Sequence, residues 1–506
     1  MTANTCLLIS PASLFDPKDP FTTGVIYMPI GLAYGASSLQ QNGFKVEVMD
    51  LFGNDPTRAE KLGNYIRLGS EDLTLIEKVA EVQPLLIVFY ANQVLNHASL
   101  VKSISTVRQA YPNLFVGVAE NTQAVTAYYL ADVADEFFNC GVDFILSGEM
   151  ENTLPAVFRY LQSSLSLKGL DVEGVSTNGL KVSHSLRIND LDSLVFPAWE
   201  LFPISNYWKV GYAHGPFETK SYLPLLTSRG CPFPCKFCVV PSTNNRKWRS
   251  RSAKNVVDEM ELMLKKFGVR EFHLEDLNPT INDVRMVEIS KEILRRELDI
   301  VWKIVAGTKI ESVKSLETLR WMNKAGLNYV SMSPETGSRR IQRDIGKTFN
   351  TSHALKMISE SRKLGVSTQA CFVLGYPAES FLDRLKTFLL AIRLTLSGLD
   401  EVVVFIMSPV PGSSFFSDYK GQYNSLSDLG FSPRWRSDFF GLMLWRVFIY
   451  FFFMFTKFVT RPVVMLGQIR NMFGGSFRTK MEMVPLRGIK YLGMAKKIKS
   501  GIKLIS

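Results

Sequence analysis

One short run limits this chain more than any other: Thr227-Ser-Arg-Gly-Cys-Pro-Phe-Pro-Cys-Lys-Phe-Cys238, which sets Cys231, Cys235 and Cys238 in C-x3-C-x2-C spacing. Three thiolates this close hold three corners of a cubane iron–sulfur cluster and leave the fourth iron without a protein ligand. An open iron binds a small molecule and passes it an electron. Isolated cysteines in apolar runs are packing residues instead, and Cys6, Cys140 and Cys371 are expected to be that. A structural zinc site normally takes four ligands, and no Cys or His follows Cys238 within ten residues. Six cysteines in 506 residues make no disulfide framework, and oxidation would destroy the clustered three. A reducing cytoplasm is therefore expected. Residues 1–10 show no basic region or cleavage site, so no leader is expected.

On both sides of the cysteine run, short apolar runs alternate with helical stretches. This pattern predicts an α/β chain with parallel sheets. Residues 1–190 are expected to form a Rossmann-like domain, residues 191–220 a connector and residues 221–430 a partial (β/α)6 TIM-type barrel. Residues 431–506 are expected to form a helical, apolar and basic tail. In such folds the chemistry sits on loops after the strands. The cysteine run follows the first predicted barrel strand, as that rule requires. Arg249 and Arg251, just before a predicted helix, are expected to be solvated. His273 is expected to be a core histidine.

The net charge of +11 resembles a nucleic-acid signal until its location is read. Residues 431–506 hold 14 Lys and Arg against two Asp and Glu, so the tail carries the excess and the rest is near neutral. The same segment has 18 residues, 439–456, with Arg446 as their one charge. That length meets the lower bound for crossing a bilayer, but an arginine near the middle costs about 2.5–3.5 kcal/mol on insertion scales. Expected instead are a helix lying on an anionic membrane surface or one packed on the barrel. No nucleic-acid partner is expected.

Further landmarks are Pro29-Ile-Gly-Leu-Ala-Tyr-Gly35, Asn42-Gly-Phe-Lys-Val-Glu-Val-Met-Asp50, Val142-Asp-Phe-Ile-Leu-Ser-Gly-Glu149 and Leu191-Asp-Ser-Leu-Val-Phe-Pro-Ala-Trp199. With the cysteine run, their order resembles the radical S-adenosylmethionine (SAM) enzymes that carry an N-terminal cobalamin (B12)-binding domain. The resemblance spans roughly residues 5–470. It implies a [4Fe-4S] cluster on the three cysteines, SAM on the open iron, and a flavodoxin- or ferredoxin-like reductant. It also implies SAM contacts at Phe237, Glu275, Asp276, Ser333, Glu335 and Gly375, and cobalamin near Asp50 and Gly117. The activity implied is C-methylation of an unactivated carbon, with a lipid or other hydrophobic substrate suggested by the tail. The alternative is a radical oxidation, cyclisation or carbon coupling on a degenerate cobalamin domain.

Two departures bear on the cobalamin. Phe52 stands where relatives often carry the histidine that ligates cobalt, so a cobalt without histidine is expected. Gly117-Val-Ala-Glu120 replaces the Gly-Gly-Pro-His-like turn of relatives, and Val118 is expected to crowd the nucleotide tail there.

Overall fold

The computed structural model describes residues 5–178 and 187–499. The first sheet has strands β1 (Thr5–Ser10), β2 (Lys45–Asp50), β3 (Leu86–Ala91), β4 (Phe115–Glu120), β5 (Phe144–Leu146) and β6 (Val175–Thr177) in the order 2-1-3-4-5-6. All neighbours are parallel except β5 and β6. Strands β1 and β3 are buried along their whole length. Their unbroken apolar sequences fit a sheet covered by helices on both faces. The strand order reverses between β1 and β3, and open sheets of this kind bind ligands beyond the carboxyl ends at such a reversal.

The second sheet runs β7 (Tyr222–Leu225), β8 (Glu271–Leu274), β9 (Val301–Thr308), β10 (Leu327–Glu335), β11 (Ser367–Leu374) and β12 (Glu401–Ile406), parallel and in chain order. Helices such as Ala253–Phe267 and Phe381–Leu396 link the strands. Ser380 begins the latter with a capping box closed by Asp383. Among the described residues β7 and β12 do not pair, so the barrel wall is open.

The tail forms three helices: Phe439–Thr460, Pro462–Gly474 and Lys480–Lys499. The first is long and apolar enough to cross a membrane by length and composition alone. One stripe of it, Leu442, Arg446, Ile449, Phe453 and Lys457, is buried. The spacing of 3–4 residues puts these on one face, and that face packs on the barrel. Arg446 reaches Asp19 at 3.0 Å, and Lys457 donates to the Asp400 carbonyl and to Gln468. The charges that count against insertion are thus internal contacts. The last helix touches both the first domain and the barrel: Tyr491 stacks on Phe15 at 4.4 Å, and the Met481 amide donates to Glu401 at 3.0 Å.

Candidate active site

The cysteine loop leaves β7 at Thr227. Asp276, just past β8, is fully buried and holds the root of that loop. Its carboxylate accepts from the Thr227 amide (2.9 Å), the Thr227 hydroxyl (2.6 Å) and the Ser228 hydroxyl (2.6 Å). Arg285 grips the same point, donating to the Thr227 carbonyl and hydroxyl, both at 3.0 Å. Gly230 has φ +81°, and a Cβ there would meet the Lys247 carbonyl, so the chain needs glycine to turn into the loop. Asp276, expected to contact SAM, uses its carboxylate within the protein, at the root of the cysteine loop.

A cavity of about 630 Å³ opens where the carboxyl ends of the two sheets meet. Cys231, Cys235 and Cys238 all line it. The three sulfurs do not gather round one point as ligands of a single ion do; a cubane takes its thiolates at separate corners. Burial, with Cys235 and Cys231 beside it, pushes the Cys238 thiol up to about 12. A bound metal centre is what converts such thiols to thiolates.

Phe237, Ser333 and Glu335 lie on the cavity wall. Glu335 ends β10 with φ +61°, a left-handed backbone that costs a residue with a side chain about 1–2 kcal/mol. Its carboxylate pairs with Lys347 at 2.5 Å, and the Lys347 ammonium lies 5.9 Å from the centre of the Phe237 ring. Burial opposes charge on Lys347, yet Glu335 and Cys235 hold its ammonium above the ordinary range. Strained backbone of this kind recurs at ligand sites. The sequence reading missed Lys347, because it stands twelve positions beyond its partner Glu335. It also missed Lys309, whose ammonium sits 4.4 Å over Phe233, and His214, both on the wall.

Other expectations are corrected. Glu275 is off the wall and bonds His214 Nδ1 at 2.8 Å, so it acts on the cavity through that ring. Gly375 has φ +85°, but the groups nearest its absent Cβ are Leu442 and Arg436 of the tail, not a cofactor face. Asp50 caps the turn at Gly53 (3.0 Å) and accepts from the Tyr207 hydroxyl (2.6 Å), which ties β2 to the connector. Gly117 lies within β4, not in a turn, and the Phe144 ring fills the space beside it. Val118 points into the core that includes Ile9, Phe89 and Ile145, so it crowds no cofactor. Arg249 is not solvated: it grips Glu149 twice, at 2.7 and 2.9 Å. Arg251 is buried against Glu259. His273 is a buried core residue bonded to Glu271, as expected.

Comparison with known proteins bears on this geometry. Residues 225–391 match the Radical SAM superfamily. An uncharacterized methyltransferase of Pyrococcus horikoshii is 26% identical over 297 residues, covering 58% of this chain and 61% of its own. Cytidylyl-2-hydroxyethylphosphonate methyltransferase of Streptomyces wedmorensis is 25% identical, covering 81% of each chain. Bacteriochlorophyllide d C-8(2)-methyltransferase of Chlorobaculum tepidum is 25% identical, covering 60% of this chain and 68% of its own. Two solved structures share the fold. The cobalamin-dependent SAM radical enzyme OxsB has a TM-score of 0.67 at 14% identity, covering 100% of this chain and 82% of that one. The radical SAM methyltransferase TsrM from Kitasatospora setae has a TM-score of 0.61 at 15% identity, covering 83% and 78%.

A SAM-type cluster loop at the head of a six-strand parallel wall is what residues 225–391 share with the Radical SAM superfamily, and the chain is an enzyme that carries this domain. Its two-sheet frame shares the fold of OxsB and TsrM. The cysteine loop fits the [4Fe-4S] cluster and SAM that the radical SAM domain uses.

Proposed function

We propose that this enzyme is a cobalamin-dependent C-methyltransferase acting on an unactivated carbon of a hydrophobic molecule. The observation that supports it most is the shared cavity. The cysteine loop forms one side, and Gln93, Val94, Leu95, Val125 and Thr126 of the first domain form another. These residues suit a corrin: apolar side chains for the macrocycle face, with an amide and a hydroxyl for its polar rim. His97 does not face the cavity; it is bonded to Tyr128 (3.0 Å) and Glu136 (2.9 Å). Cys231, Cys235 and Cys238 would hold the cluster, which with SAM would supply hydrogen-atom abstraction, and methylcobalamin would supply the methyl group.

The protein's own part is to hold and to exclude. The Glu335–Lys347 pair and Phe237 orient what lies beside the cysteines. His214, fixed by Glu275, and Tyr27, whose ring centre is 4.5 Å from it, build the opposite wall. Val447, Met483 and Val484 of the tail close the chamber with apolar surface. The relatives named as methyltransferases, one of them at carbon of a bacteriochlorophyllide, support this reading.

One observation favours a reaction without methyl transfer. Glu120, at the end of β4, accepts from the Leu130 and Gly148 amides at 3.0 Å each, closing the gap beside β5. Relatives include an anaerobic magnesium-protoporphyrin IX monomethyl ester cyclase of Cereibacter sphaeroides, 28% identical over 250 residues.

We further propose that the enzyme rests on the cytoplasmic face of a membrane. The outer faces of Phe439–Thr460 and Pro462–Gly474 expose Leu444, Phe451, Phe455, Phe458, Leu466 and Phe473. No Asp or Glu lies between Asp438 and Glu482. An apolar face with basic but no acidic neighbours matches an anionic lipid surface.

The test is anaerobic turnover of the full chain, reconstituted with iron, sulfide and a corrinoid, with SAM, reductant and lipid extract. Deoxyadenosine and a product one methyl group heavier are expected. A Cys231→Ala, Cys235→Ala, Cys238→Ala triple variant should lose iron and deoxyadenosine together. Deoxyadenosine with no corrinoid bound would move the assignment to oxidation, cyclisation or coupling. Full iron content in the triple variant would sink the radical reading.

A further inference from the structure

The cavity wall from the tail carries two cations, Lys480 and Arg487, that no carboxylate among the described residues contacts. Lys480, Met483, Val484 and Arg487 line the cavity from one helix. Offsets of three, four and seven residues put them on a single face. Arg487 is 2% exposed. Its Nη2 donates to the Phe21 carbonyl at 2.9 Å, and its Nε has no partner. Lys480 donates to the Val305 carbonyl at 3.1 Å. Among the described residues neither makes an ion pair, whereas Lys347 and Arg446 on the same cavity are paired with Glu335 and Asp19. Burial draws the proton affinity of Arg487 down, with Tyr491, Tyr27, Tyr212 and, least of these, Asp19 acting against it.

Buried charges are ordinarily paired, because the unpaired ion loses its hydration without return. A buried guanidinium that lines a ligand chamber without a carboxylate partner matches an oxyanion, since its fork binds carboxylate and phosphate oxygens. We propose that the substrate carries an acidic group, a carboxylate or a phosphate, anchored by Arg487 with Lys480 beside it, while its apolar body lies along Met483, Val484 and Val447. This rests on the reading of the cavity as the substrate chamber. It narrows the substrate class from hydrophobic molecules to acidic amphiphiles. It also gives the tail a role in substrate selection that its packing alone does not require.

Calorimetry on the full-length, cluster-loaded protein tests the inference with three probes of one chain length: octanoate, octyl phosphate and octanol. At least one acid is expected to bind about 10- to 100-fold more tightly than the alcohol, the worth of a charge-assisted hydrogen bond. Which acid wins tells carboxylate from phosphate. Arg487→Gln should bring acid and alcohol to within a few-fold of each other, and Arg487→Lys should keep part of the preference. Full iron content shows that a variant is folded. Amphiphiles that adhere to the outer tail face do so equally in every variant, so the change between variants reports the cavity. Equal binding of acids and alcohol by the unaltered protein would overturn the proposal without any variant. So would an Arg487→Gln protein that keeps the preference. Neither result touches methyl transfer, which the turnover experiment judges separately.

Discussion

Asp276 Oδ1 accepts hydrogen bonds from the hydroxyls of Thr227 and Ser228, each at 2.6 Å, so the residue beyond the second barrel strand fixes where the cysteine loop leaves the first. The bond is between neighbouring strand ends, and it makes cluster assembly depend on the barrel being formed.

Asp276→Ala should therefore cost the cluster. It leaves two hydroxyls and one amide without their acceptor, each worth about 1–3 kcal/mol when buried. A loss of several kcal/mol in denaturant unfolding and a fall in iron content are expected. Glu275→Ala should keep its iron, because its partner is His214. An Asp276→Ala protein with full iron and only weaker SAM binding would return this carboxylate to the cofactor.

Glu335 combines a left-handed backbone with a buried ion pair, and the two contributions are separable. Glu335→Ala loses the pair and keeps the strain, whereas Glu335→Gly loses the pair and relieves the strain. The glycine variant should be the more stable by about 1 kcal/mol, the left-handed penalty less the backbone entropy of glycine. Both should bind SAM more weakly than the unaltered protein. Equal melting of the two variants would show that position 335 carries no strain.

Asp50 gives a pH signature. Burial, against hydrogen bonds from Tyr207 and Gly53, raises its carboxyl from 3.8 to about 6. The folded state then binds the proton more tightly than the unfolded one. Its contribution to stability is full below about pH 4 and is lost as pH rises through about 6, by about 3 kcal/mol at most. Asp50→Asn cannot titrate. The stability of the unaltered protein relative to this variant should fall across that window and then level off. A flat difference would mean that Asp50 titrates normally.

Val118→Gly should leave corrinoid binding unchanged and lower stability by about 2–4 kcal/mol, through a core cavity and a strand glycine. Its side chain lies among Ile9, Phe89 and Ile145. Recovered or stronger corrinoid binding in this variant would show that the valine does obstruct the cofactor. Electron resonance of a reduced, corrinoid-loaded protein should show no histidine nitrogen on cobalt, since Phe52 holds the usual ligand position.

Phe451→Ser with Phe455→Ser should weaken flotation with anionic vesicles while changing stability by about 0.5 kcal/mol or less per site. These side chains are 62% and 55% exposed and leave the buried stripe intact. Unaltered flotation of the double variant, or none by the parent protein, would remove the membrane from the account.

The cysteine spacing and the strand pattern were legible in the sequence because both are local. A cluster loop is written within eight residues, and a parallel strand covered on both faces reads as an apolar run, as β1 does from Thr5 to Ser10. What the tertiary structure decided is which polar side chains meet the cavity. Acidic residues at strand ends look alike in sequence, yet Asp276 turns to Thr227, Asp50 to Tyr207 and Glu335 to Lys347, because each faces whatever the neighbouring strand or connector presents. Gly117 and Val118 look like a turn until hydrogen bonding carries β4 on to Glu120. The tail shows the division most clearly. Its composition determined that it is apolar and basic. Only folding could direct Arg446 to Asp19, leave Arg487 without a carboxylate at the cavity, and turn the remaining aromatic face outward, because those choices depend on contacts between residues hundreds of positions apart.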